Sequence, residues 1–149
     1  MIYLAGPCDT ENRSMMVSIA KYLREKNIEV YCPWELKIEN AWDYSQEDWA
    51  KLVFDADIAA INAADLVIMI SLGRHSTAGT NWEQGYCYAK NIPVHVIQVT
   101  DAPTSLMTFW GCNSFIMHDK NYGPIKSELN WILDHQTEVN HTKCRTVLT

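Results

Sequence analysis

The stretch DLVIMISL, from Asp65 to Leu72, decides the fold of this protein. It is apolar on both faces, which is typical of a strand that is buried in a parallel sheet between two layers of helices. The polar segment GRHSTAGT (residues 73–80) follows it, and NWEQGYCYAK (residues 81–90) is predicted to form a helix. A buried strand, a polar loop and a helix in this order favour an α/β fold.

The rest of the chain repeats this alternation. Further strands are predicted at residues 1–5, 28–32, 92–99 and 114–117. Further helices are predicted at residues 11–26, from an N-cap at Ser45 to about Ala63, and at residues 122–135. The polar tail, residues 136–149, gives no clear prediction. Residues 1–149 are therefore predicted to be one Rossmann-like, flavodoxin-like domain, with a five-stranded parallel sheet and helices on both faces.

Composition narrows the class of partner and the compartment. The formal net charge of −6 argues against a nucleic-acid polymer or an anionic membrane surface as the main partner. No stretch reaches the roughly 20 apolar residues of a membrane helix, and the first residues lack the basic flank of a signal peptide. The five cysteines are scattered without CxxC spacing, so no zinc site is indicated. A cytoplasmic protein without a metal is expected.

The order of the elements also predicts where a ligand binds. In a parallel sheet, ligands bind beyond the carboxyl ends of the strands. The segments that leave those ends are residues 6–12, 73–83 and 100–111. Neither GxxxxGK[ST] nor GxGxxG occurs, so NTP and dinucleotide binding have no support from motifs.

Two acidic residues are candidates for chemistry. Glu83 is predicted to lie near the first turn of a helix, where the helix dipole and free N–H groups would keep it ionised as a nucleophile. Its alternative is an ordinary acid at a helix N-terminus. Asp57 lies on the preceding helix, and two carboxylates at one sheet edge suit glycoside chemistry. Gly79 offers close approach of the backbone to a ligand. Trp49 and the other tryptophans suit either stacking on a planar base or core packing.

Four segments together resemble the nucleoside 2-deoxyribosyltransferase family, and they run from Ile2 to about Met117. The opening segment resembles the family's first strand and turn, and the second its helix and strand with a conserved aspartate. The third resembles the nucleophile segment GxxxExGxA, and the fourth a stretch that reaches a neighbouring subunit's site. They are IYLAGP (2–7), WAKLVFDADIAAINAADLVI (49–68), AGTNWEQGYCYA (78–89) and SLMTFWGCNSFI (105–116).

The resemblance implies roles for particular residues. Glu83 corresponds to the nucleophile, Tyr3 to the tyrosine that orients it, and Asp57 to the conserved aspartate. Trp49 matches a family tryptophan, and Gly6 lies in the first turn. Together with Gly79, these two are expected to contact the substrate. The reaction implied is transfer of 2-deoxyribose between nucleobases through a covalent glycosyl–Glu83 intermediate, without a cofactor or metal.

Two positions depart from the family's transferases. Thr77 stands where many of them carry an aspartate that binds the sugar, and Ser105 stands where they carry an asparagine near the sugar 5′ position. Related nucleotide N-glycosidases use serine in both regions, although the first loop here keeps only Arg13 of their arginine-rich phosphate loop. Thr77 and Ser105 are therefore expected to contact the sugar or its 5′ substituent.

The expected partners are a nucleoside or nucleotide and a free nucleobase. The alternatives are a 2′-deoxynucleoside 5′-monophosphate N-glycosidase and, from another class, a non-catalytic nucleotide-binding module. If Ser105 serves a neighbouring subunit, the protein is a homo-oligomer, a dimer at least and a hexamer as the larger form. Exposed Leu106, Met107, Phe109 and Trp110 would then form the contact. Alternatively, these four residues pack under the chain's own sheet.

Overall fold

The computed structural model describes residues 1–119 and 125–149. One parallel sheet runs through these residues, with strand order β2-β1-β3-β4-β5-β6. The predicted parallel α/β fold is confirmed. Its sheet has six strands, one more than predicted. Four of the five predicted strands are shorter at their ends, and the strand at residues 114–117 has its predicted bounds. The strands are β1 (Ile2–Ala5), β2 (Val30–Tyr31), β3 (Leu66–Ser71), β4 (Val94–Gln98), β5 (Ser114–Met117) and β6 (Asn140–His141).

Helices cover both faces of the sheet. Leu4 and Ile68 pack with α1 and α5 on one face, whereas Tyr3 and Val67 pack with α2, α3 and α4 on the other. The start of the helix predicted at residues 122–135 lies outside the described residues, and the segment 100–111 contains a short helix that was not predicted. The helices are α1 (Arg13–Glu25), α2 (Gln46–Ala63), α3 (Ala78–Ala89), α4 (Leu106–Trp110) and α5 (Lys126–Asp134).

Two side chains fix the starts of the helices that carry the candidate acids. The Ser45 hydroxyl accepts a hydrogen bond from the backbone N–H of Asp48 at 3.1 Å, which confirms the predicted N-cap of α2. The Thr77 hydroxyl caps α3 in the same way. Because Thr77 is a capping residue, α3 begins at Ala78, three residues before the predicted start. Glu83 therefore lies beyond the first turn.

The tail from residue 136 onward is part of the domain. Its residues 140–141 form β6 beside β5, and Leu148 forms an isolated bridge with Thr104. The backbone N–H of Leu106, at the start of α4, donates to the Thr149 carbonyl at 2.9 Å. These contacts use backbone groups, so a polar sequence makes them without an apolar pattern. Within the described residues, no helix has the length and apolar character that a membrane crossing requires.

Candidate active site

Tyr3 and Glu83 meet between the sheet and helix α3. Tyr3 lies on β1 and is fully buried. Its hydroxyl donates a hydrogen bond to Oε1 of Glu83 over 2.7 Å, although the two residues are eighty positions apart in the chain. This contact fixes one carboxylate oxygen and leaves the other for a ligand.

Tyr31 and Asp57 form a second pair of the same kind beside the first. The Tyr31 hydroxyl, from β2, donates to Oδ1 of Asp57 on α2 over 2.8 Å. The rings of Tyr3 and Tyr31 are stacked, with centroids 5.4 Å apart and planes 15° from parallel. Sequence reasoning missed Tyr31. The available signal was the register of two neighbouring parallel strands, which places Tyr31 directly opposite Tyr3.

Burial controls the charge of Glu83. Desolvation raises the pKa of Glu83 to about 7, the hydrogen bond from Tyr3 lowers it, and the nearby Asp57 charge raises it. The sequence predicts that Glu83 stays ionised near the first turn of a helix, whereas in the structure it lies further along α3, where burial raises its pKa. The first turn of α3 carries the free N–H groups, and Glu83 lies beyond them, against the sheet. At neutral pH, Glu83 is a mixture of ionised and protonated forms.

Asp57 is perturbed by the same surroundings. Desolvation raises its pKa above the ordinary value, and the hydrogen bond from Tyr31 lowers it. The charge of Asp57 in turn raises the pKa of Glu83. Because they interact, the two carboxyl groups titrate as a pair. One proton shared by two acids is the arrangement that divides the roles of nucleophile and proton donor.

A cavity of about 510 Å³ opens beside the two acids, between α2 and α3. Glu83 and Asp57 are the acidic residues in its lining, whose remainder is largely apolar and aromatic. Trp49 lies in this wall and is 42% exposed, so it does not belong to the core. The lining residues are Trp49, Ala50, Val53, Phe54, Asp57, Ile58, Ile61, Ala78, Gly79, Trp82 and Glu83.

Two glycines predicted to approach the substrate have different surroundings. A Cβ at Gly79 would meet no atom within 4 Å, so the space above it in the cavity is open. A Cβ at Gly6 would lie 2.7 Å from Cε of Met16 and 3.2 Å from Cβ of Ile70. Gly6 therefore allows close packing against the core, and its contact with substrate stays a prediction.

Thr77 and Ser105 lie apart from each other. Thr77 is exposed at the start of α3, next to Ala78 of the cavity wall. Ser105 caps α4 and lines a separate cavity of about 470 Å³ on the far side of α3. The structure thus brings Tyr3, Asp57 and Glu83 together, and leaves Ser105 out of this group.

The surface of α4 divides into two parts. Leu106, Met107 and Trp110 are exposed, at 47%, 74% and 63%. Phe109 is buried and packs against Phe115 of β5, so the expectation that it is exposed is wrong. The helix turns Phe109 to the chain's own core and leaves Leu106, Met107 and Trp110 exposed.

Nowhere in residues 1–119 and 125–149 do three or more His, Cys, Asp or Glu side chains gather in a way that could hold a metal ion. His95, in β4, is buried between the Ser114 hydroxyl and the Gln136 carbonyl. Burial lowers its pKa. It is a hydrogen-bonded core histidine.

The sequence profile of the nucleoside 2-deoxyribosyltransferase family matches residues 2–141, which is nearly the whole chain. The protein belongs to this family. No curated protein matches the chain. The resemblance of the four sequence segments to this family is therefore confirmed.

Among solved structures, a 2-deoxyribosyltransferase from Bacillus psychrosaccharolyticus is 28% identical, with a TM-score of 0.66 over 81% of this chain and 88% of that one. A conserved protein from Enterococcus faecalis V583 is 25% identical, with a TM-score of 0.54 over 93% and 79%. The CMP N-glycosidase of Clostridium botulinum shares the fold at 18% identity, with a TM-score of 0.61 over 87% and 98%. The family and these neighbours include enzymes that act on N-glycosidic bonds.

Proposed function

We propose that the protein is a nucleoside 2-deoxyribosyltransferase that transfers 2-deoxyribose between nucleobases, with Glu83 as its nucleophile. The observation that carries this proposal is the pair of tyrosine-bound carboxylates, Glu83 and Asp57, on one cavity of a member of this family. The proposed role is nucleotide salvage in the cytoplasm.

The reaction is a double displacement. A carboxylate oxygen of Glu83 attacks C1′, the bond from C1′ to the base nitrogen breaks, and its electron pair leaves with the base. Asp57 gives its proton to that base. A second base then attacks C1′ and loses its proton to Asp57, while the ester bond to Glu83 breaks. Two displacements restore the β configuration, and both acids return to their starting state.

The reactive form has Glu83 ionised and Asp57 protonated. The raised pKa of Glu83 favours the proton on Glu83, so this form is the less populated arrangement of the single proton. Two nearby carboxyl groups resist holding two charges, so a state with one shared proton is favoured over a wide pH range. Tyr3 stabilises the ionised form of Glu83 by its hydrogen bond. The missing 2′-hydroxyl of deoxyribose makes C1′ easier to ionise, and this favours 2′-deoxy substrates.

The cavity supports a nucleobase as the leaving and incoming group. Trp49, Phe54 and Trp82 give it aromatic walls, with the Phe54 and Trp82 rings packed edge to face. Planar bases stack on such side chains. Thr77 and Ser105 are proposed to contact the sugar or its 5′ substituent, and Gly6 and Gly79 the substrate as it enters.

The hydroxyl side chains at Thr77 and Ser105 favour one alternative, a hydrolase that acts on deoxynucleoside 5′-monophosphates. The test incubates the protein with a deoxynucleoside and a free base, and separately with a deoxynucleoside monophosphate alone. Exchange of the base supports the transferase. Free sugar phosphate alone supports the hydrolase, and binding without turnover of either substrate supports a non-catalytic module.

Variants test the role of Glu83. Glu83→Ala should abolish turnover, and activity within tenfold of wild type would remove Glu83 as nucleophile. A 2-fluoro sugar that traps the ester should label Glu83. A peptide map with the label on another residue would contradict the proposal.

The role of Asp57 is tested by leaving groups. Asp57→Asn should slow the reaction most for substrates with poor leaving groups, by about 10²–10⁴-fold, because these substrates depend most on general acid catalysis. Equal losses for activated and natural substrates would mean that Asp57 only shapes the cavity.

We also propose that the active site is completed between subunits of a homo-oligomer, at least a dimer and a hexamer as the larger form. Ser105 lines a different cavity from Glu83 of its own chain, beside exposed Met107 and Trp110. Closed symmetry would bring Ser105 to a neighbour's site.

Mixed oligomers test this sharing. Inactive Glu83→Ala and inactive Ser105→Ala chains are mixed under conditions that exchange subunits. Shared sites should regain activity, since some sites then carry both native groups. No recovery after verified exchange, or a fully active monomer in sedimentation, would overturn the shared site.

A further inference from the structure

We propose that Tyr31 is a positioning residue for Asp57, and that its hydroxyl holds Oδ1 so that the other carboxyl oxygen faces the departing base. This inference rests on the proposed function, because it assigns the proton transfer to Asp57. It adds a residue to the site that neither the sequence segments nor the family resemblance indicated.

The ring of Tyr31 is held by its neighbours, and its hydroxyl holds Asp57. It lies on β2, at the edge of the sheet, and its ring is stacked on the buried ring of Tyr3. The stack limits the movement of the Tyr31 ring, and its hydroxyl reaches Asp57 over 2.8 Å. Asp57 lines the cavity next to Glu83. One pair of stacked rings therefore holds both acids, each by one hydroxyl.

The hydrogen bond from Tyr31 determines the orientation of Asp57. An aspartate side chain on a helix can rotate about two bonds, and a proton donor must point at the nitrogen that it protonates. In residues 1–119 and 125–149, the hydrogen bond from Tyr31 is the side-chain partner of Asp57. Without it, the carboxyl group would turn between water and the cavity.

The same hydrogen bond also affects the pKa of Asp57. Several groups face Asp57: Tyr31 from β2, Tyr3 from β1, Glu83 from α3 and Cys8 from the loop after β1. Among them, the Tyr31 hydroxyl stabilises the ionised form, and so it lowers the Asp57 pKa against the effect of burial. A stronger acid releases its proton more easily, but less of it is protonated at neutral pH, so the kinetic loss expected without the Tyr31 hydroxyl comes from the orientation of Asp57.

The experiment compares Tyr31→Phe with a matched control, Tyr86→Phe. Phenylalanine keeps the ring at both positions and removes one hydroxyl. The Tyr86 hydroxyl also donates to a side-chain oxygen on α2, that of Asn62, over 2.9 Å. The control therefore removes a different hydrogen bond to the same helix, at a position away from Asp57. Urea unfolding confirms that each variant is folded.

The first readout is the pKa of Asp57, measured by NMR on protein with ¹³C-labelled aspartate carboxyls and assigned with Asp57→Asn. Tyr31→Phe should raise this pKa by about one, a tenfold change in the protonation equilibrium, and Tyr86→Phe should not change it. In wild type, the ring signal of Tyr31 should titrate with the same midpoint as Asp57. This last measurement needs no variant.

The second readout is kinetic. Tyr31→Phe should lose about tenfold in kcat with natural deoxynucleosides and much less with an activated aryl leaving group, while KM changes little. Tyr86→Phe should stay within about twofold of wild type in all of these.

The outcomes separate the two claims. An unchanged Asp57 pKa, or equal losses for both kinds of leaving group, overturns the positioning role. Wild-type protein that exchanges no base and hydrolyses no nucleotide refutes the proposed function, while the NMR titration still tests the contact between Tyr31 and Asp57.

Discussion

Replacing Glu83 by glutamine should make the protein more stable at alkaline pH while it abolishes turnover. The folded protein raises the pKa of Glu83 to about 7, from an ordinary value of 4.5, chiefly because the side chain is desolvated. Glutamine has nearly the same shape, carries no charge and can still accept the hydrogen bond from Tyr3. The variant therefore removes the cost of a buried charge and little else.

The magnitude follows from the two pKa values. A difference of one in pKa corresponds to about 1.4 kcal/mol, so folding with an ionised Glu83 costs about 3 kcal/mol above the folded-state pKa. Because the folded pKa is raised, wild type is most stable below the unfolded pKa and loses stability as pH rises through about 7. At about pH 5 the expected advantage of the variant is only about 1 kcal/mol.

The assay is urea unfolding of both proteins at about pH 5 and about pH 9, monitored by circular dichroism. In thermal scans, about 3 kcal/mol corresponds to a rise of roughly 10 °C in Tm at the higher pH. The matched control is Glu39→Gln, at an exposed position in the loop before α2, and it measures the effect of the substitution itself. A gap between Glu83→Gln and wild type that is equal at both pH values would refute the argument that burial raises the pKa of Glu83.

Three further predictions concern the same site. In wild type, kcat/KM should fall as pH rises through about 7, because the pair of acids then loses its last proton and Asp57 has none to give to the departing base; a profile that is flat from about pH 5 to about pH 9 would contradict this. Tyr3→Phe removes the hydrogen bond that lowers the Glu83 pKa, so the shared proton stays more on Glu83: kcat/KM at about pH 6 should fall about tenfold, and the falling limb should move to higher pH, where the variant and wild type converge. Gly6→Ala should destabilise the protein by about 1–3 kcal/mol in urea, since the new Cβ meets Met16 and Ile70; an unchanged midpoint would show that the Met16 side chain moves aside at no cost.

The candidate site was only partly predictable. Tyr3, Asp57 and Glu83 were identified by resemblance, and the structure brings these three residues together. Tyr31 was not, because its partner Asp57 is far along the chain and the contact depends on strand register and on how α2 lies over the sheet. The raised pKa of Glu83 was not predictable for a related reason. Its position along α3 and the packing around it decide its pKa, and a sequence pattern shows neither.

The sequence by itself determined the layer architecture, and it predicts the edge of the sheet at which a ligand binds. The β3 stretch is apolar on both faces, and apolar strands alternating with helices leave few arrangements other than a parallel sheet with helices on both sides. Such patterns are local in the sequence, and burial of their apolar surface directly stabilises the layers that they predict. Tertiary structure alone decided the sixth strand, the inward turn of Phe109 and the two tyrosine–carboxylate pairs. Each of these depends on backbone pairing or desolvation between residues distant in the chain, and those energies exist only once the layers have packed.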